Sequence, residues 1–240
     1  MDGSTSATSA VRQRLGLGRL LPLGGPRDGA WIAQEAANGV LRAAVREVPG
    51  VRLGVLRLAP ADPDDAVEPV VPPPPSGLPP GALRVTADFA ASPAWPLPAT
   101  AGRVREALAT AAVRRLGLMV TEVDLRVTDL LDGDEAEPRP AAPPAAAPTG
   151  PPLTGEEALA AEAALSVPGV TGLTGTLGRA VRLESVASPG AVALPHRHAR
   201  VEITVRADHR AVDVARQVRA AVGQALPDHP TVTVLVTGVG

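Results

Sequence analysis

The alternation of apolar and polar residues predicts four strands in this chain. Apolar side chains alternate with charged or polar ones at 83–89, 123–127 and 201–205, and valine recurs at every second position of 232–236. A period of two is typical of a strand with one buried face. We therefore expect four half-buried strands, and a further strand around 51–58.

The spacing of apolar residues predicts helices in the segments between these strands. The apolar residues recur every three or four positions, which places them on one face of a helix. The four segments with this spacing are 30–47, 104–116, 156–166 and 212–226. Asp28 has the side chain of a helix cap for the first of them, and Trp31 would be a core anchor in its first turn.

A short motif, Val48-Pro49-Gly50-Val51, returns as Val167-Pro168-Gly169-Val170. Each copy follows a predicted helix and precedes β-branched segments, and such internal similarity indicates repeated structural units. The sequence thus predicts an α+β fold of two tandem repeats, each a two-layer sandwich with two helices on one face of a small mixed sheet. The predicted boundaries are an N-terminal arm at 1–27, a first repeat at 28–132 with a Pro-rich insertion at 62–80, a linker at 133–153, and a second repeat at 154–240.

Composition limits the core and the classes of function. The chain has one Phe, two Trp, no Tyr and no Cys, so Ala, Val and Leu must fill the core, and disulfides and cysteine nucleophiles are excluded. All 23 basic residues are arginines against 25 acidic ones. A near-neutral chain with few aromatic side chains argues against nucleic-acid binding. It carries no apolar signal segment or spanning run, which favours a cytoplasmic protein.

One polar sheet face is the candidate surface for a protein partner. Alternation places the polar residues of two neighbouring strands on the side away from the helices. The candidate partner-binding residues are Arg84, Asp88, Glu122, Asp124 and Arg126. Plain solvent exposure is the alternative interpretation of the same pattern.

All four histidines lie in the second predicted repeat. His196 and His198 would point to the same side of a strand, which suits a shared metal ion. A third ligand would have to come from His209, Asp208 or His229. The alternative is a set of histidines with no common function.

No set of residues in the sequence predicts a catalytic centre or a cofactor. Gly172-Leu-Thr-Gly175 has the spacing of an RNA-clamping loop, but such loops need flanking basic residues, the nearest are Arg179 and Arg182, and the chain is acidic overall. An enzyme with a small-molecule site between the repeats remains an alternative, and it requires a concave pocket with a perturbed titratable group.

Three segments resemble the alkaline-shock family, the envelope-stress-response proteins of Gram-positive bacteria. They are 46–51, 167–175 and the helix start Val212-Asp-Val-Ala-Arg-Gln-Val218. The chain is also similar to actinobacterial proteins that carry a nucleopolyhedrovirus-type label. Members of the family usually have one such unit and many Lys residues, whereas this chain has two predicted units and no Lys.

The resemblance implies a non-enzymatic adaptor or scaffold with no cofactor. Such a protein would lie in the cytoplasm, reach the membrane through an anchored partner, and act by protein–protein contacts. An exposed sheet edge would also permit self-association. A metal-binding or sensing module in the second repeat is the alternative function.

Overall fold

The computed structural model describes residues 18–131, 153–186 and 196–240. The first 17 residues of the predicted arm, and the predicted linker except Leu153, lie outside the described residues. The elements in chain order are β1 (Leu20–Leu23), β2 (Ala30–Ala33), α1 (Gln34–Arg46), β3 (Val51–Pro60), a 3-10 turn (Pro63–Asp65), β4 (Leu83–Ala91), α2 (Leu97–Thr110) with a π-helical extension (Ala111–Leu116), β5 (Val120–Leu130), α3 (Glu156–Leu165), β6 (Val170–Leu173), β7 (Val181–Val186), β8 (His196–Val205), α4 (Ala211–Ala225) and β9 (Thr231–Val239).

The strands form two sheets. The smaller has the order β3-β4-β5, with β3 antiparallel and β5 parallel to the central β4. The larger has six strands in the order β1-β2-β9-β8-β6, and β7 also pairs with β8. In it β9 runs parallel to both β8 and β2, whereas β6 and β7 are antiparallel to β8. The mixture of helices and two sheets confirms the predicted mixed α/β class.

One hydrophobic core joins the helices to both sheets. Helix α1 buries Ala37, Val40, Leu41 and Val45, which lie on one helical face, and it contacts both β3 and β9. Buried Ala, Val and Leu dominate this core, and Phe89 is its only aromatic member among the described residues. The core therefore has the small-residue composition that the sequence predicts.

The N-terminal region differs from the prediction in two ways. Leu20–Leu23, within the predicted arm, forms a fully buried strand, and Ala30–Ala33 forms a strand instead of the first helical turn. The helix begins only at Gln34, because residues 30–32 pair in parallel with β9 at the other end of the chain. Asp28 caps no helix; it accepts a hydrogen bond from the Gly25 backbone N–H and pairs with Arg216.

A run of prolines such as Pro72–Pro75 favours a stiff loop in solvent, whereas the structure packs part of the Pro-rich insertion against a sheet. Val71 is 3% exposed and packs against Trp31 and Leu235, on the side of the six-stranded sheet away from the helices. Thr233 donates a hydrogen bond to the Pro72 carbonyl over 2.9 Å. The insertion therefore covers part of the outer face of that sheet.

Candidate functional site

The outer face of the three-stranded sheet, meaning the side away from the helices, brings all five predicted partner-binding residues together. Register places Arg84 opposite Glu122, and Asp88 opposite Arg126. Arg57 on β3 and Asp124 on β5 both lie opposite Thr86, between these two pairs. The alternating pattern therefore predicts the membership of this face.

Ion pairs cross the outer face from strand to strand. Arg126 donates to both carboxylate oxygens of Asp88, over 3.0 and 2.8 Å. Arg84 bonds Glu122 over 2.6 Å and lies 3.6 Å from Asp124. The hydrogen bonds from Arg126 lower the pKa of Asp88, so its carboxylate stays charged at neutral pH. The face presents fixed, alternating charges.

A concavity of about 480 Å³ lies on this face. Its lining combines Val55, which is 50% exposed, with four of the charged residues, Arg57, Asp88, Asp124 and Arg126. The register between β3 and β4 shifts between Leu53 and Leu56, and this irregularity leaves Gly54 and Val55 outside the ladder. A bulge of this kind re-aims a side chain, and here it adds an apolar side chain to a charged surface.

A second concavity, here called the proline cleft, lies between the insertion and strands β7 and β8. Its volume is about 410 Å³, within the range of small-molecule sites. Its lining residues are Pro72, Pro73, Pro74, Pro75, Leu177, Arg182, Glu184, His198 and Arg200. The prolines belong to the first predicted repeat and the others to the second.

Two titratable side chains of β8 are buried at or near this cleft: His198 lines it, and Glu202 binds the backbone of the lining residue Leu177. His198 is 6% exposed, and its Nδ1 lies 2.8 Å from Thr231 Oγ1. Burial lowers its pKa to about 4, so the imidazole is neutral at pH 7. Glu202 is fully buried and accepts hydrogen bonds from the Leu177 backbone N–H, yet burial raises its pKa to about 7.

The structure keeps the two proposed metal ligands together on β8 and places the other two histidines elsewhere. His196 and His198 lie on β8 opposite Val186 and Glu184. His209 binds Asp208, and His229 Nδ1 lies 2.8 Å from the Gly223 carbonyl. Within 18–131, 153–186 and 196–240, no group of three or more His, Asp or Glu side chains could hold a metal ion. The predicted third ligand is therefore missing there.

Sequence reasoning missed Glu202 and the proline cleft. Glu202 occupies a polar position in an alternating strand, which predicts exposure. It is buried because the segment between β6 and β7 lies over it, as the bond from Leu177 shows. A buried acid in a strand gives no sequence signal of its own.

Neither a scan against models of protein families nor a search of curated proteins finds a match to this chain. In the part of the chain that the structure describes, no helix has both the length and the apolar character needed to cross a membrane.

Proposed function

We propose that this chain is a non-enzymatic adaptor that binds another protein through the outer face of its three-stranded sheet. One observation carries the proposal: the outer face of one sheet is partly covered by the chain itself, and the outer face of the other is not. The Pro-rich insertion packs on the outer face of the six-stranded sheet, whereas the outer face of the smaller sheet keeps its charged rows and Val55 exposed. Fixed opposite charges beside an apolar side chain favour specific protein recognition.

We also propose that the chain arose by duplication of one α/β unit. In both sheets the middle strand, β4 or β8, has an antiparallel neighbour that precedes it and a parallel neighbour that follows a helix. The two Val-Pro-Gly-Val turns support this, because Gly50 and Gly169 both have positive φ, at 69° and 93°. On this proposal, β6 and β7 together correspond to β3.

The alkaline-shock family is the protein class that we propose for the two units. On this proposal the chain acts in the cytoplasm, in envelope stress or homeostasis, and meets the membrane through an anchored partner. The supporting observations are the two Val-Pro-Gly turns and the strand order that follows each.

The adaptor proposal is tested by affinity capture with a surface variant. The purified chain is used as bait in an extract of cells that express it naturally, beside the double variant Val55→Asp, Arg57→Glu. We expect the variant to lose a protein that the unchanged chain retains, because both substitutions alter the outer face. Arg114→Glu, an exposed position on the extension of α2, is the matched control. Capture that does not differ between the three baits contradicts the proposal.

A second candidate function is small-molecule binding in the proline cleft. The observation that favours it is a concavity between the two proposed units, next to the perturbed His198. Screening small carboxylates and aromatic acids for a rise in melting temperature tests it, with Arg182→Ala as the site variant. A ligand that stabilises both proteins equally does not bind in this cleft.

A further inference from the structure

The edge strand β5 has one side along which no described strand pairs with it. It spans eleven residues and, among the described residues, pairs only with β4. Its register with β4 is uninterrupted from Glu122 to Val127. An exposed, regular edge of this length is a template for pairing with another strand.

The apolar side of this edge is incompletely covered. Val127 is 40% exposed and Leu130 is 53% exposed, although Val123 and Leu125 on the same strand pack against the core. The Val123 carbonyl accepts a hydrogen bond from the Arg105 side chain over 3.3 Å. Pairing with a second strand would have to displace this side-chain bond, which is exposed.

We propose that β5 pairs antiparallel with β5 of a second copy of this chain, about a two-fold axis at Leu125. In this register Asp124 lies opposite Arg126 of the second copy, and Arg126 lies opposite its Asp124. Val123 lies opposite Val127 of the second copy, which covers the exposed valine. The two smaller sheets then form one continuous six-stranded sheet.

Charge selects this register over its neighbours. Antiparallel partners on the same face must differ by an even number of positions, because side chains alternate. An axis at Asp124 or at Arg126 would place like charges directly opposite each other, and an axis at Val123 would oppose Glu122 to Asp124. The axis at Asp124 would also pair Glu122 with Arg126, but it sets Asp124 against itself. The axis at Leu125 gives two opposite-charge pairs with no like charges directly opposite, and such like-charge contacts are destabilising.

The side chains involved are available for these contacts. The Arg126 side chain is 74% exposed and the Asp124 side chain 63% exposed. Arg126 already binds Asp88, but a guanidinium has five N–H donors and can bind a second carboxylate. The contact area of one strand pair is small, so the dimer is weak and depends on concentration.

Charge reversal tests the pairing, and sedimentation equilibrium of the full chain measures it. Protein concentrations on the order of 10–100 μM suit the weak dimer that a small interface gives. We expect Asp124→Arg and Arg126→Asp each to weaken dimerisation by about tenfold or more, since each reversal affects both symmetric pairs. The double variant should restore it, which a misfolded protein would not do. An unchanged chain that stays monomeric, or single variants that dimerise normally, would overturn the proposal.

Cysteine cross-linking tests the register separately, because the chain has no native cysteine. Residues directly opposite in an antiparallel pair have Cα atoms about 4.5–5.5 Å apart, which suits a disulfide. We expect Leu125→Cys to form a covalent dimer under mild oxidation much faster than Val127→Cys. Equal rates would contradict the axis at Leu125.

The dimer does not depend on the proposed protein partner, and the two can fail separately. Arg57 lies on the opposite edge strand of the same face. Arg57→Asp should leave self-association unchanged while it weakens capture of an outer-face partner. Loss of self-association in this variant counts against pairing through β5.

Discussion

Trp31 in β2 donates its indole N–H to the carbonyl of Leu78 over 2.9 Å, and this bond ties the Pro-rich insertion to the six-stranded sheet. Trp31 is 1% exposed and packs against Val71 and Leu235. A strand near the start of the chain thus holds the segment that covers one outer face. Together with the bond from Thr233 to the Pro72 carbonyl, the Trp31 bond holds the insertion on the outer face of the six-stranded sheet, and the adaptor proposal depends on that covering.

Trp31→Phe should loosen the insertion without unfolding the chain. The variant keeps an aromatic ring but leaves the Leu78 carbonyl without its donor, which costs about 1–2 kcal/mol in the free energy of unfolding. Urea denaturation measures the cost, and limited proteolysis within 67–80 measures the loosening. Trp95→Phe is the control, because Trp95 is 51% exposed and its ring lies 5.0 Å from the Arg103 guanidinium; there we expect a loss of less than about 0.5 kcal/mol in the free energy of unfolding. Equal effects at both positions would contradict the anchor.

Glu202 should make the protein less stable as the pH rises. Its pKa is about 7 in the folded chain against the ordinary 4.5, so folding favours the protonated acid. The stability that it contributes is present below pH 4.5 and is lost as the pH rises to about 7, with an upper limit of about 3 kcal/mol. Glu202→Gln should remove this loss and be more stable than the unchanged chain at pH 8, as measured by urea denaturation at several pH values. A variant less stable than the unchanged chain at pH 8 would show that the carboxylate is favoured in the fold.

His198 should have the opposite pH dependence. Its pKa is about 4 in the folded chain against the ordinary 6.5. Between these two pH values the imidazole is protonated in the unfolded chain but neutral in the folded chain. Stability is therefore lost as the pH falls from 6.5 to about 4, with an upper limit of about 3 kcal/mol. Over much of the same fall in pH, protonation of Glu202 stabilises the folded chain. The two effects therefore partly cancel in the unchanged chain.

This cancellation gives a test with two variants. His198→Asn can still bond Thr231 but does not titrate, so the gain from Glu202 should appear alone as the pH falls from 7 to 5. Glu202→Gln should expose the loss from His198 over the same range. The test is the urea midpoint of the three proteins at pH 5, 6 and 7. If the midpoint depends on pH in the same way in all three, both pKa shifts are contradicted.

Local patterning predicted the elements whose periodicity is unambiguous. Strand β4 alternates Leu83, Val85 and Phe89 with polar residues, and the structure confirms it. Ala30–Ala33 was misassigned because four residues suit either a helix or a strand, and parallel pairing with β9 at the far end of the chain decides between them. No local signal carries that information.

The same limit applies to the candidate sites. The outer face of the smaller sheet was predictable, because alternation along two strands fixes which side chains share a side. The proline cleft was not predictable, because it exists only where the insertion packs against β7 and β8. A site on one sheet face can be predicted from the alternation of residues along its strands. A site between segments that are distant in sequence requires the tertiary structure.

Gly117, at the end of the α2 extension, lies directly against Val212 of helix α4. It has a φ of 88°, and an added Cβ would lie 2.2 Å from Cγ1 of Val212. Gly117→Ala should therefore combine the strain of a left-handed alanine with displacement of a fully buried side chain. We expect a loss of about 3 kcal/mol or more in the free energy of unfolding.

Gly18→Ala separates the strain from the packing effect. Gly18 also has a positive φ, of 64°, but the nearest atom to its added Cβ lies at an ordinary 3.5 Å. Strain alone predicts a loss of about 1–2 kcal/mol there. Adding Val212→Ala to Gly117→Ala should give a double variant that is less destabilised than the sum of the single changes, since the alanine removes the methyl group that is displaced. Urea denaturation of the four variants measures both differences, and strict additivity would show that Val212 does not limit the space at Gly117.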